Sequence, residues 1–261
     1  MAPTIRTVAC YTTHQEHSVD FFGNELLVTV TPTASVISRW IRNVHPYNRG
    51  QYSSHPLVVG VGVQWTPFGF HSSPPRETNY YGDPSPGSYN GDAPWNSCYS
   101  SPLPANNYAD PSPRGEYVDP EADTVQLCVG QRCLIIQLSH CNRVPDELRG
   151  FLSDPETIFV GVRNFQDAGK LARSRHQLEI GKLWDIRNFV QDSQGGNMRR
   201  CSFEAIVQEC MGYHYQGVRL DPEISTSDWS VYNLCDEQIL QASLDAYVCA
   251  ELGVWIRLWE L

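Results

Sequence analysis

Apolar residues follow two rhythms along this chain, and the switches between them mark out its elements. Leu57-Val58-Val59-Gly60-Val61-Gly62-Val63-Gln64-Trp65 is an almost unbroken apolar run, as a strand covered on both faces requires. Upstream, Val19 to Thr31 reads as a hairpin with Gly23-Asn24 at its turn. Thr33 or Ser35 can then cap a helix that sets Val36, Ile37, Trp40 and Ile41 on one face. Further on, strands are expected at 124–129 and 132–138 around Gly130-Gln131, then helix 145–153, strand 157–162, helix 167–175 and strand 180–186. A loop with Gly195-Gly196 leads to a helix near 202–211, and a long helix covers 236–252. A hairpin meander followed by alternating helices and strands predicts an α/β fold, a mixed sheet with helices on both faces. Residues 1–17 are polar and are expected to be a flexible lead into a single domain over 18–261.

Residues 67–120 break the pattern. They hold 11 of the 18 prolines and 6 of the 13 tyrosines, with few aliphatic side chains. Such a composition buries too little apolar surface to offset its ordering entropy, so a loosely packed, low-complexity insertion is expected. It carries an imperfect repeat, Asn79-Tyr80-Tyr81-Gly82-Asp83-Pro84-Ser85-Pro86 and Asn106-Asn107-Tyr108-Ala109-Asp110-Pro111-Ser112-Pro113. The repeat reads as a duplicated docking motif, as two proline-directed phosphorylation sites at Ser85 and Ser112, or as a slippage duplication in a tolerant loop.

Charge narrows the range of partners. The net charge is −10 and the pI about 5.2, which repels phosphate backbones over the surface as a whole. The exception is 160–200, where eight basic residues face four acidic ones. Lys170, Arg173 and Arg175 there are the candidate nucleic-acid contacts, and a solvated helical face is the plainer reading. The nine cysteines form no CxxC and no Cys/His zinc spacing; Cys128, Cys133 and Cys249 lie in apolar runs and read as small core residues. Neither a signal peptide nor a membrane span is visible, so reduced thiols and a cytoplasmic or nuclear address are expected.

Three segments carry a family likeness. They are Thr124 to Leu138; Phe159-Val160-Gly161-Val162-Arg163-Asn164-Phe165-Gln166-Asp167-Ala168-Gly169-Lys170-Leu171, with its Asp-x-x-Lys-Leu ending; and Ser227-Asp228-Trp229 through Asp245-Ala246-Tyr247. With residues 57–65 they resemble the 3′–5′ exonuclease domain of the DEDDy type, most nearly plant proteins similar to the Werner syndrome exonuclease. The resemblance implies a ribonuclease-H-like fold, a five-stranded mixed sheet flanked by helices. It also implies a catalytic scheme in which four carboxylates hold two divalent ions. Carried over by position, the first-strand Asp-x-Glu pair falls on Gly62 and Gln64, and the second-motif Asp on Asp167. The water-positioning Tyr falls on Gln241 and the last Asp on Asp245.

Only Asp167 and Asp245 keep a carboxylate. Two hard ions carrying +4 would face −2, with no side chain at Gly62 and only a neutral amide at Gln64. A structural role is the plainer one for both acids, with Asp167 capping its helix and Asp245 hydrogen-bonded in the old cleft. Asp185 and Arg187 also read as structural. The leading expectation is a catalytically inactive exonuclease-like protein that holds no cofactor. It would act by binding a protein partner or single-stranded nucleic acid. The alternative is a residual 3′–5′ exonuclease on DNA or RNA, needing Mg²⁺ or Mn²⁺ at Asp167 and Asp245. The apolar end, Val254 to Leu261, packs on its own domain or on a second subunit.

Overall fold

The computed structural model describes residues 2–49, 55–67, 119–212, 215 and 221–261. The repeat and its Ser85 and Ser112 lie outside the described residues. Residues 1–70 and 120–261 form one compact unit. Its strands are β1 (Thr4–Cys10), β2 (Gln15–Phe21), β3 (Asn24–Thr31), β4 (Val58–Gln64), β5 (Thr124–Val129), β6 (Arg132–Gln137), β7 (Ile158–Gly161) and β8 (Leu183–Asp185). Its helices are α1 (Ala34–Arg49), α2 (Asp146–Leu152), α3 (Asp167–Arg173), α4 (Phe203–Met211), the single turn α5 (Pro222–Ser225) and α6 (Asp236–Trp255).

All eight strands join one mixed sheet in the order β1-β2-β3-β6-β5-β4-β7-β8. The sheet flanked by helices is as expected, but it has eight strands rather than five. The five expected strands form the run β6-β5-β4-β7-β8. The meander β1-β2-β3 extends it, with β3 parallel to β6 from Leu27↔Arg132 to Thr31↔Ile136. This also corrects the reading of 1–17 as flexible: Thr4 to Cys10 pairs with Gln15 to Asp20. β1 is an edge strand with mostly exposed side chains, so it needs β-branched residues but few apolar ones. Its polarity reflects exposure rather than looseness.

The hairpin turn lies one residue earlier than expected. Phe21 pairs with Asn24, so the turn residues are Phe22 (φ 53) and Gly23 (φ 87). A two-residue turn with both φ positive matches the twist of the flanking strands. A bulky residue is unusual there, and Phe22 is held by edge contacts with Phe21 and Tyr215.

Side-chain alternation along β4 divides the core between the two faces of the sheet. Val59, Val61 and Val63 pack with Ile37, Trp40, Leu148 and Leu171 of α1, α2 and α3. Val58 belongs to the other cluster, with Ile239, Ala246 and Leu252 of α6. α6 lies flush on β4. A Cβ added at Gly60 would stand 1.7 Å from the Ala246 carbonyl oxygen, so only glycine fits there. Gly62 and Gln64 follow Gly60 on the same face, toward α6.

Two smaller expectations also changed or were resolved. Cys128 and Cys133 are cross-strand partners with Cα atoms 4.2 Å apart, and their sulfurs are joined as a disulfide. They are core residues as expected, and the β5–β6 register is what sets them face to face. At the C-terminus, Leu258 is buried and Trp259 stacks on His55, so the end packs on its own domain.

Candidate functional site

The site lies where β4, α3 and α6 converge. Asp245 projects from the middle of α6 and is 8 % exposed; Asp167 opens α3 and is 6 % exposed. A Cβ placed on Gly62 would lie 3.3 Å from Asp245 Oδ2, so positions 62 and 245 face each other across the strand–helix contact.

The two carboxyls are buried at an electrostatic cost. Burial, then repulsion from Asp245, pushes Asp167 up to about 8; Lys170 pulls it down and Asp185 adds to the rise. Burial alone pushes Asp245 up to about 7, against a hydrogen bond from the Cys249 thiol. That thiol, 3.9 Å from Asp245 Oδ1, is itself held well above its ordinary range by burial and by Asp245. Asp167 does not cap its helix as expected, and the hydrogen bond expected of Asp245 is a single one from a thiol. The N-cap of α3 is Gln166, and no side-chain cap bond forms there. For Asp245 the Cys249 contact is long and weak. Asp185 differs: Arg187 Nε and Nη2 grip its two oxygens at 3.0 and 2.6 Å, a structural pair as expected.

Gln241 sits one turn before Asp245, but its side chain is committed elsewhere. Its Oε1 accepts from the Asp221 backbone N–H at 2.6 Å, and its Nε2 donates to Ser225 Oγ at 2.7 Å and to the Asp221 carbonyl at 3.2 Å. It anchors α5 and is 7 % exposed. Gln64 is half-buried at the end of β4.

The candidate nucleic-acid cations do not form a surface track. Lys170 is 1 % exposed; its Nζ donates to the Pro120 carbonyl at 3.0 Å and lies 4.3 Å from the centre of the Trp65 ring. This corrects its reading as a phosphate contact, because the ammonium is spent inside the fold. Arg175 donates to the Ser139 and Cys141 carbonyls at 3.1 and 2.7 Å, which holds it to the loop after β6. Arg173 is exposed.

One residue at the site escaped the sequence reading. Gln126 of β5 is the cross-strand partner of Gly62 and is 1 % exposed. Its Nε2 donates to Thr124 Oγ1 at 2.6 Å, while its Oε1 has no partner among the described residues. The available signal was a polar residue on the α6-facing side of an apolar strand, but its target depends on the β4–β5 register.

The donor set can be weighed against the two-ion centre that the family resemblance implies. Among the described residues, no group of three or more His, Cys, Asp or Glu converges as a metal site. Gly62 offers nothing, Gln64 and Gln126 offer neutral oxygens, and Gln241 is saturated. Two buried carboxyls cannot balance two divalent ions, so the residues present do not fit that centre.

The family described as 3′–5′ exonuclease matches residues 114–258. A 3′–5′ exonuclease of Drosophila grimshawi is 26% identical over 136 residues, which cover 49% of this chain and 39% of that protein. The match therefore spans well under half of that relative's length. Among solved structures, the Nibbler EXO domain of Aedes aegypti aligns at a TM-score of 0.53 and 11% identity, covering 87% of this chain and 86% of that one. Escherichia coli RNase D, an exoribonuclease involved in structured RNA processing, aligns at 0.50 and 16% identity, covering 88% and 45%. At these identities the structural likeness speaks for the fold alone.

Proposed function

The chain belongs to the 3′–5′ exonuclease family, and we propose that it is a non-catalytic member that works by binding. One observation carries this reading: the α6-facing side of β4 presents Gly62, which has no side chain, to Asp245, and the next position on that face is the neutral Gln64. Two acids are too few to gather the ions on which hydrolysis by such a fold depends. The tie from Gln241 to α5 supports it, since that side chain is occupied with holding structure.

A protein is the favoured partner. The chain carries −10 overall, and three cations of its basic stretch, Lys170, Arg175 and Arg187, are tied to groups of the fold itself. Single-stranded nucleic acid is the other candidate, and its phosphate contacts would weaken steeply with salt. RNase D is involved in structured RNA processing, so RNA is the nucleic acid to try first.

A residual metal-dependent exonuclease is the second reading. It is favoured by the two buried carboxyls, whose repulsion a single Mg²⁺ or Mn²⁺ would relieve. A single-turnover assay on 3′-labelled DNA and RNA, with Mg²⁺ and with Mn²⁺, separates the two. The natural chain is expected to leave every substrate intact. Cutting that disappears in Asp167→Asn/Asp245→Asn would establish the second reading instead.

A further inference from the structure

We propose that Gln126 plugs the pocket that a residue-62 carboxylate would occupy, so that the loss at position 62 is locked by a second residue on the neighbouring strand. This rests on the non-catalytic reading above and gives it a structural cause beyond a missing ligand.

The geometry begins with the register. Gly62 and Gln126 are direct partners across β4 and β5, so their substituents leave the sheet side by side on the face covered by α6. A Cβ at Gly62 would stand 2.7 Å from Gln126 Oε1, closer than carbon and oxygen tolerate, and 3.7 Å from its Cδ. Gly62 and Gly60 are therefore glycines for different reasons. At Gly60 the obstacle is the α6 backbone, 1.7 Å away at the Ala246 carbonyl, so glycine is a packing requirement. At Gly62 the obstacles are only the tips of Gln126 and Asp245. Glycine at 62 is the counterpart of a particular side chain at 126.

Gln126 is held in this pose. It is 1 % exposed, and its amide nitrogen is committed to Thr124 Oγ1. The other end of the amide points at the site and has no hydrogen-bond partner among the described residues. Buried carbonyls are rarely left this way, so this oxygen occupies its place by filling space rather than by bonding. A carboxylate restored at 62 would meet that oxygen before it met a cation.

The test uses the full chain in four forms: natural; Gly62→Asp/Gln64→Glu/Gln241→Tyr; the same triple variant with Gln126→Ala; and Gln126→Ala alone. Mn²⁺ binding is measured by calorimetry on samples whose folding is checked by circular dichroism, beside the single-turnover assay. The triple variant is expected to bind Mn²⁺ no better than the natural chain. Adding Gln126→Ala is expected to tighten binding by about 10-fold or more, in the range that supporting residues exert on metal sites, and to bring cutting with it. Equal binding and cutting by the triple and quadruple variants would overturn the plug while leaving the non-catalytic reading intact. Folded variants that both fail to bind would overturn it too. If the natural chain binds Mn²⁺ and Gln126→Ala weakens that, Gln126 is a ligand and the plug is wrong. Cutting by the natural chain would overturn the non-catalytic reading and the plug with it.

A second measurement needs no restored chemistry. Gly62→Ala is expected to lower the Tm of the natural chain, and the lowering should at least halve in the Gln126→Ala background. An equal lowering in both backgrounds would overturn the plug.

Discussion

Two buried polar clusters lie within a few residues of each other at the end of β4, and they are built on opposite principles. One centres on Thr66. Its hydroxyl accepts from the Trp229 and Ser230 N–H groups at 3.0 and 3.1 Å and lies 2.8 Å from Asp123 Oδ2 and 3.1 Å from Asp228 Oδ1. Asp123 Oδ2 also takes the Thr66 N–H at 2.7 Å. Each acid there is met by donors. The other cluster is Asp167, Asp245 and Gln126, where two carboxyls repel and an amide oxygen has no partner among the described residues. In the first cluster each charge is matched by donors; in the second, burial and the repulsion between carboxyls are offset only in part, by Lys170 and by the Cys249 thiol.

Removing the Thr66 hydroxyl should have the largest effect. Thr66→Val keeps the shape but strands the Trp229 N–H, leaves the Ser230 N–H only its bond to Asp228 Oδ1, and removes a hydroxyl shared with two carboxylates, an expected loss of about 3 kcal/mol in urea unfolding. A loss no larger than that of an exposed threonine would erase the contrast between the clusters.

Neutralising the stranded cluster should do the reverse. Asp167→Asn/Asp245→Asn is expected to stabilise the chain by about 2 kcal/mol at pH 8. The sign follows from the raised values. Below the ordinary 3.8 of an aspartic acid both carboxyls are protonated folded and unfolded, and nothing is lost. As pH climbs to about 7 and 8 the unfolded chain releases protons that the folded chain retains, so stability falls. Melting curves between pH 4 and 9 should show that decline in the natural chain and little of it in the double variant. A natural chain whose Tm rises over this range would refute the assignment.

Gln241→Tyr tests a satisfied residue inside the stranded region. Losing its bonds to Asp221 and Ser225 is expected to cost about 1 kcal/mol, and proteolysis should become faster near 221–225. The smallest effect expected is from metal itself: 5 mM Mg²⁺ or EDTA, roughly a millimolar excess over any weak site, should leave Tm unchanged. A clear rise with Mg²⁺ would mean that the acid pair recruits an ion.

Much of this architecture was readable from the chain. β4 to β7 and α6 announce themselves as apolar runs, because they are buried on both faces or nearly all round. β1 did not, since an edge strand with exposed side chains has no such run. The turn at Phe22-Gly23 was missed by one position because glycine was given the first place in it and Phe22 was not expected at φ 53. At the site, Asp167 and Asp245 could be found by spacing along single segments. Gln126 could not, because its meaning depends on which residue of a distant strand stands opposite it, and that residue is Gly62. Lys170 looked like a surface cation for a related reason. Its partners Trp65 and Pro120 flank the long insertion, and nothing local to α3 shows that both return to it.

The way the chain leaves and re-enters the sheet has a consequence for what can be built into it. Gln64 pairs with Thr124, the Asp123 N–H reaches the Gln64 carbonyl at 2.9 Å, and Lys170 bridges Trp65 to Pro120. The two ends of the excursion are thus stitched together by the domain itself, whatever lies between. Closure entropy grows only slowly with the length of a loop whose ends are already held. The neck can therefore carry a short linker, the present stretch or an entire guest domain at similar cost to the host. It is a socket at which lineages, or engineers, can exchange cargo without renegotiating the fold.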